Sequence, residues 1–224
     1  MAAPHPKTPH PRKLLVEGAD DLRVIPELIE AATGVRWGES RDPKLVEIAF
    51  EGEGGIDQLL KPGLLGAELK VAGRQALGVI VDADEDPESC WRRLRERCLS
   101  LCSELPATLP TEGLVCETNL GVRLGIWVMP DNKGPGMLET FLATLRIAES
   151  DGVWQHAQAA CKTAAELGAP FKSAHRDKAL IHTWLSWQDP PGAQLHQAVR
   201  IGSLDPKSPQ AAVFVAWFRR LFAV

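Results

Sequence analysis

The 224 residues carry 45% hydrophobic and 24% charged side chains and a formal charge of −4, the balance of an ordinary globular domain, and no apolar run comes near the ~20 residues that a membrane span needs. Five cysteines, at positions 90, 98, 102, 116 and 161, are odd in number and lack disulfide or zinc-ligand spacing, which excludes a disulfide framework and predicts reduced thiols in the cytoplasm. The charge is uneven: residues 1–171 hold 18 basic and 26 acidic side chains, and residues 172–224 hold 7 and 3, too little positive charge to define a strongly basic groove.

Residues 1–12 contain four prolines, two histidines and no apolar core, and read as a disordered tail, neither a signal nor an anchor. Residues 13–18 form a short apolar strand. Asp20 and Asp21 then open a helix with Leu22, Ile25, Leu28, Ile29 and Ala32 at helical spacing, ended by Gly34. Residues 45–50 predict a second strand, followed by a Glu-Gly-Glu-Gly-Gly turn and a short helix over 56–60. Residues 76–81 are the most apolar strand and therefore the central one.

A helix over 87–105 presents Trp91, Leu94, Cys98, Leu101, Cys102 and Leu105 on one face, and Arg92, Arg93, Arg95 and Arg97 on the other. Residues 113–118 and 123–129 read as strands joined at Asn119–Gly121, a hairpin signal that makes the sheet mixed. A proline- and glycine-rich loop over 130–136 leads to a helix over 137–148, and further helices are expected over 152–168, 174–187 and 210–222. This order predicts an α/β fold with a doubly wound, mostly parallel sheet over 13–150 and a helical C-terminal region, 151–224, packed on the same domain.

Two apolar strands break suddenly into acids: Val16-Glu17-Gly18-Ala19-Asp20-Asp21 and Val81-Asp82-Ala83-Asp84-Glu85-Asp86. A carboxylate that closes a buried strand needs a partner. In a parallel sheet the C-terminal strand ends lie side by side, and ligands collect there. If the strand continues through it, Asp82-Ala83-Asp84 puts both aspartates on one side. Such acids repel one another unless a cation joins them, and hard oxygen donors suit Mg²⁺ or Mn²⁺, in sites that most often act on phosphates.

Plainer roles stand beside these. Asp20, Asp86 and Glu88 read as helix-capping acids, Glu139 as a favourable charge in a first helical turn, and Lys178 as a solvated lysine. Asn132 and Lys133, on the loop at a strand end, either touch phosphate or make the turn. His182, Trp184 and Trp217 read as packing residues. The glycines at 63 and 66 and at 134 and 136 lack P-loop or dinucleotide-binding spacing. The apolar end over 214–224 could dock a second copy as a homodimer.

Glu17-Gly18 followed by Asp82-x-Asp84 resembles the Toprim fold of topoisomerases, primases and repair or defence nucleases. The form Val16-Glu17-Gly18-x-x-Asp21 is most similar to the overcoming-lysogenization-defect (OLD) nucleases and their small stand-alone relatives. Two longer stretches, Trp127 to Glu139 and Asp177 to Leu185, resemble signatures of a bacterial Toprim-like family of unassigned function. The resemblance covers about residues 13–222. It implies a nuclease acting on DNA or RNA with two Mg²⁺ or Mn²⁺ ions: Glu17, Asp21 and Glu139 on one, Asp82 and Asp84 on the other or on both, and Lys178 neutralising the transition state. The ATPase domain of the OLD proteins has no counterpart here, so the resemblance implies either a separately encoded ATPase or other partner protein, or a protein that acts alone. The other reading is a Toprim-like regulatory module that binds metal or phosphate without cleavage.

Overall fold

The computed structural model describes residues 10–34, 48–146 and 152–224. Strands β1 (Arg12–Val16), β2 (Ile48–Gly52), β3 (Ala76–Asp82), β4 (Leu114–Glu117) and β5 (Arg123–Met129) form one sheet in the order β2-β1-β3-β5-β4. All neighbours are parallel except β4, which pairs antiparallel with β5. The fold is α/β with a mostly parallel sheet, as the alternation of elements predicts. β1 starts at Arg12, whose side chain is already buried, so the expected tail ends one residue early. The first part of the expected second strand, 45–47, and most of the tail, 1–9, lie outside the described residues.

Side chains alternate across the strands and build two cores. Leu14, Val16, Ile80, Trp127 and Met129 face one side, where they pack with α1 (Ala19–Thr33), α5 (Leu138–Ala143), α6 (Gly152–Glu166), α7 (Arg176–Leu185), α8 (Leu195–Arg200) and α9 (Pro209–Phe222). Leu15, Leu77, Val79, Val81, Leu124, Ile126 and Val128 face the other, against α2 (Ile56–Leu59), α3 (Leu64–Leu69) and α4 (Pro87–Cys98). A strand buried on both faces reads as a continuous apolar run, which is why β3 is central. The short helices α3 and α8 are not expected from the sequence, and α4 stops at Cys98 rather than at 105. Cys102 is nonetheless buried beyond the helix end, with its Sγ 3.4 Å from that of Cys116.

The C-terminal region belongs to the first core. Phe214, Trp217, Phe218, Leu221 and Phe222 are fully buried, Trp127 meets Phe214 edge-on at 5.1 Å, and Trp217 Nε1 donates to the Leu114 carbonyl at 2.9 Å. The large side chains of the apolar end that the sequence leaves available for a second copy are thus buried inside the chain. Among the described residues no helix is long and apolar enough to cross a membrane.

The helix α9 approaches so closely because Gly78 and Gly125 stand opposite each other in the β3–β5 register. A Cβ on Gly125 would lie 2.5 Å from Leu221 Cδ2, and one on Gly78 2.5 Å from Leu14 Cδ1. Gly125→Ala should therefore cost about 1–3 kcal/mol by overpacking, read by urea denaturation. Combined with Leu221→Ala, it should cost clearly less than the sum of the two single changes. Simple additivity would show that the glycine is not there to admit Leu221.

Candidate functional site

β1 and β3 pair only as far as Leu15 and Val79, while β3 runs on beside β5 to Asp82. From β1 the chain goes to β2 on one side and then crosses to β3 on the other. The opening between the tips of β1 and β3 is therefore the topological switch point, where ligands bind in sheets of this kind. A hollow of about 290 Å³ lies there, lined by Glu17, Gly18, Asp20, Asp21, Asp82, Glu139 and Lys178 among others.

Main-chain donors fix three of the carboxylates. Glu17 Oε1 accepts the Asp82 N–H at 2.8 Å, across the opening. Asp21 Oδ2 accepts the Gly18 N–H at 3.1 Å, at the start of α1. The cap position itself is Gly18, so Asp20 does not fill the capping role that the sequence suggests. Gly18 has an extended backbone, and a Cβ on it would stand 3.5 Å from Asp21 Oδ2, an ordinary contact. Folding does not demand the glycine; its smallness leaves the approach to the acids open. Asp82 Oδ1 accepts the Leu138 N–H at 3.0 Å and so holds the first turn of α5, which carries the buried Glu139.

Lys178, on α7, places its ammonium 2.8 Å from Glu139 Oε1 and 3.5 Å from Asp20 Oδ2. The contact with Glu139 is an ion pair without the angle of a hydrogen bond. A second tie positions the two helices, because Thr140 Oγ1 accepts the Met137 N–H and donates to Asp177 Oδ2 at 2.6 Å. Sequence reasoning misses Thr140, since a threonine early in a short helix carries no local signal of a partner 37 residues on.

Two expectations change. The strand does not continue through Asp82-Ala83-Asp84. Asp84 has a left-handed backbone, φ 52°, and forms an isolated bridge with Gly136, with N–H···O contacts of 2.9 and 2.7 Å. Alternation therefore does not apply. Asp84 is exposed and faces an adjoining hollow with Thr140, Arg176 and Asp177, although its charge is still felt by Glu17. Asn132 is not free to bind phosphate. Its side chain accepts the Val128 N–H at 2.8 Å and donates to the Thr111 carbonyl at 3.0 Å, and the residue is buried with φ 66°. It staples the loop after β5. Lys133 lies apart from the carboxylates, on the rim of another hollow.

The electrostatics are those of an acid cluster short of positive charge. Burial, followed by the charges of Glu17 and Glu139, pushes Asp21 up from 3.8 to about 7. Burial and the charges of Asp21, Glu17 and Glu139 push Asp82 from 3.8 to about 8. Burial also raises Glu17, with Asp84 adding to it and the Asp82 N–H opposing it. For Lys178 burial works against the charge, but Glu139 and Asp20 outweigh it and the pKa rises. Among the described residues Lys178 is the one basic side chain lining the hollow.

An all-oxygen donor set with this deficit fits a hard divalent cation. Among the described residues no three acids already stand in the arrangement of a formed metal centre. Glu17, Asp21 and Asp82 are each drawn to a main-chain N–H, and Glu139 to Lys178.

Residues 11–223 match the family described as a protein of unknown function, DUF3226, and the chain belongs to that family. Neither a protein of curated function nor a solved structure matches it.

The raised carboxyls link stability to pH. Asp21 and Asp82 hold their protons to about 7 and 8 in the folded chain but lose them near 3.8 when unfolded. The folded state therefore binds more protons across that window, and stability falls as pH rises through it. In EDTA the melting temperature should drop by about 5 °C or more between about pH 5.5 and pH 8.5. Asp82→Asn should flatten the profile, and Mn²⁺ should restore the wild type at the alkaline end. A wild-type profile as flat as that of the variant would refute the charge deficit.

Proposed function

We propose that the chain is a divalent-metal-dependent phosphodiester hydrolase acting on DNA or RNA, a Toprim-type nuclease with two Mg²⁺ or Mn²⁺ ions. The observation that supports this reading is the convergence of Glu17, Asp21, Asp82 and Glu139 on one hollow at the switch point with Lys178, among the described residues, as its only cation. Glu17, Asp21 and Glu139 would hold one ion, and Asp82, with the exposed Asp84 beside it, the other. When bound, such ions lower the pKa of water and offset charge on the phosphoryl oxygens.

The residues of the chain supply position and shape. The Asp82 N–H orients Glu17, the Leu138 N–H orients Asp82, and the Gly18 N–H orients Asp21. Gly18 leaves room for a phosphate to approach. Lys178, half-exposed at the rim, is placed to meet negative charge developing on that phosphate. A separately encoded ATPase that recruits the chain, and a cytoplasmic setting, belong to the same proposal.

A second reading has its own support. With the carboxylates turned to main-chain N–H groups and Lys178 already beside Glu139, the arrangement also suits a regulatory module that binds metal or phosphate without cutting.

The two separate in one experiment on supercoiled DNA, single-stranded DNA and RNA with Mg²⁺ or Mn²⁺, run beside calorimetric titration of Mn²⁺. The hydrolase predicts cleavage that falls about 100-fold or more in both Asp82→Asn and Lys178→Ala. Mn²⁺ affinity should weaken only in Asp82→Asn, because Lys178→Ala removes a competitor for Glu139. Mn²⁺ binding by the wild type without cleavage of any substrate would favour the module. Absence of both would sink both readings.

A further inference from the structure

A second hollow, of about 550 Å³, opens beside α4, the helix that begins at Pro87 just after the Asp82-Ala83-Asp84 turn. Its opposite wall is the loop after β5, the loop whose Gly136 is bridged to Asp84. The floor is apolar and buried, made by Trp91 and Leu109. Among the described residues the walls bring in Arg92, Arg95 and Lys133 against a single acid, Glu88.

The two arginines are held but not neutralised. Arg95 is half-buried, and its Nε and Nη2 donate to the carbonyls of Pro106 at 3.1 Å and Leu105 at 3.4 Å. Arg92 Nη2 donates to the Ser89 hydroxyl at 2.9 Å. All of these acceptors are neutral. Among the described residues none of the three cations lies within ion-pair distance of a carboxylate, whereas Arg93, next along the helix, meets Asp57 at 2.6 Å.

Uncompensated cations on a concave wall gather anions, and a guanidinium fixed by its own carbonyl bonds is pre-organised for phosphate. The volume is that of a nucleotide-sized ligand rather than of a lone inorganic anion.

We propose that this hollow binds the phosphate backbone of a single nucleic-acid strand on its way to the carboxylate centre. The identity of the ligand rests on the nuclease reading; the anion site stands on charge and shape.

The test is fluorescence anisotropy of short labelled single-stranded DNA and RNA with the full chain in EDTA, where nothing is cut. Arg92→Glu/Lys133→Glu alters two exposed side chains and spares Arg95. A control, Lys207→Glu/Arg219→Glu, makes the same charge change at exposed positions elsewhere. The hollow variant should bind about 10-fold more weakly at about 0.1 M salt, and its salt slope should fall by about 1.4, for two lost phosphate contacts on a single strand. The control should stay within about 2-fold of the wild type under the same conditions, and both should melt as the wild type does.

Equal loss in the control, unchanged binding in the hollow variant, or no binding by the wild type would overturn the site. AMP that displaces the oligonucleotide, and itself binds more weakly to the hollow variant, would overturn the strand in favour of a free nucleotide. Binding that meets these expectations in a chain that never cleaves would leave this site standing and remove the hydrolase.

Discussion

The site depends on an early end to one strand pairing. β1 and β3 part after Leu15 and Val79, and the Asp82 N–H that might have met a β1 carbonyl instead meets the Glu17 carboxylate. From that bond the rest follows in sequence. Asp82 turns its carboxylate to the Leu138 N–H and sets the start of α5. There Glu139 is buried, and Thr140 reaches Asp177. Asp177 lies in the first turn of α7, next to Lys178, which meets Glu139. Four segments far apart in the chain are thereby brought to one sheet edge, each through a side chain that also carries charge.

This construction works against stability. Main-chain N–H donors favour the ionised form of a carboxylate, yet Asp21 and Asp82 still sit well above their ordinary range. Burial and mutual repulsion therefore outweigh the hydrogen bonds. A cluster kept only for folding would reach a lower energy with amides or apolar groups in the same positions. Carboxyl groups kept at such a cost, at the switch point of a parallel sheet, mark a candidate functional site.

Much of this was legible from residue order. The apolar runs that become β1, β3 and β5, and the acids that end the first two, place the site because parallel strand ends share an edge. What was hidden is what backbone geometry decides. The alternation argument fails at Asp84 because that residue is left-handed and bridged to Gly136, a pairing across 52 residues that no local pattern records. Asn132 looks like a loop residue free for ligand, but it folds inward to satisfy two main-chain groups. The helices α3 and α8 have six residues each, too short to show a helical period. The end of α4 at Cys98 was masked by Leu101 and Cys102, which continue an apolar pattern though the chain there has left the helix.

The arginines of α4 show why charge balance must be read in three dimensions. By count, the helix holds Arg92, Arg93, Arg95 and Arg97 in a few turns, enough to neutralise the acids that precede it. The structure keeps them apart. Arg93 works against the rise of Glu17, but less than the Asp82 N–H does, and it is paired with Asp57. Arg92 and Arg95 turn to the hollow on the flank away from Asp57 and find neutral acceptors. Positive and negative charge thus stay separated along one edge of the fold when pairing would lower the energy of each. A polyanion and the cations that accompany it would satisfy both surpluses at once, and that complementarity, rather than either cluster alone, favours a nucleic-acid substrate.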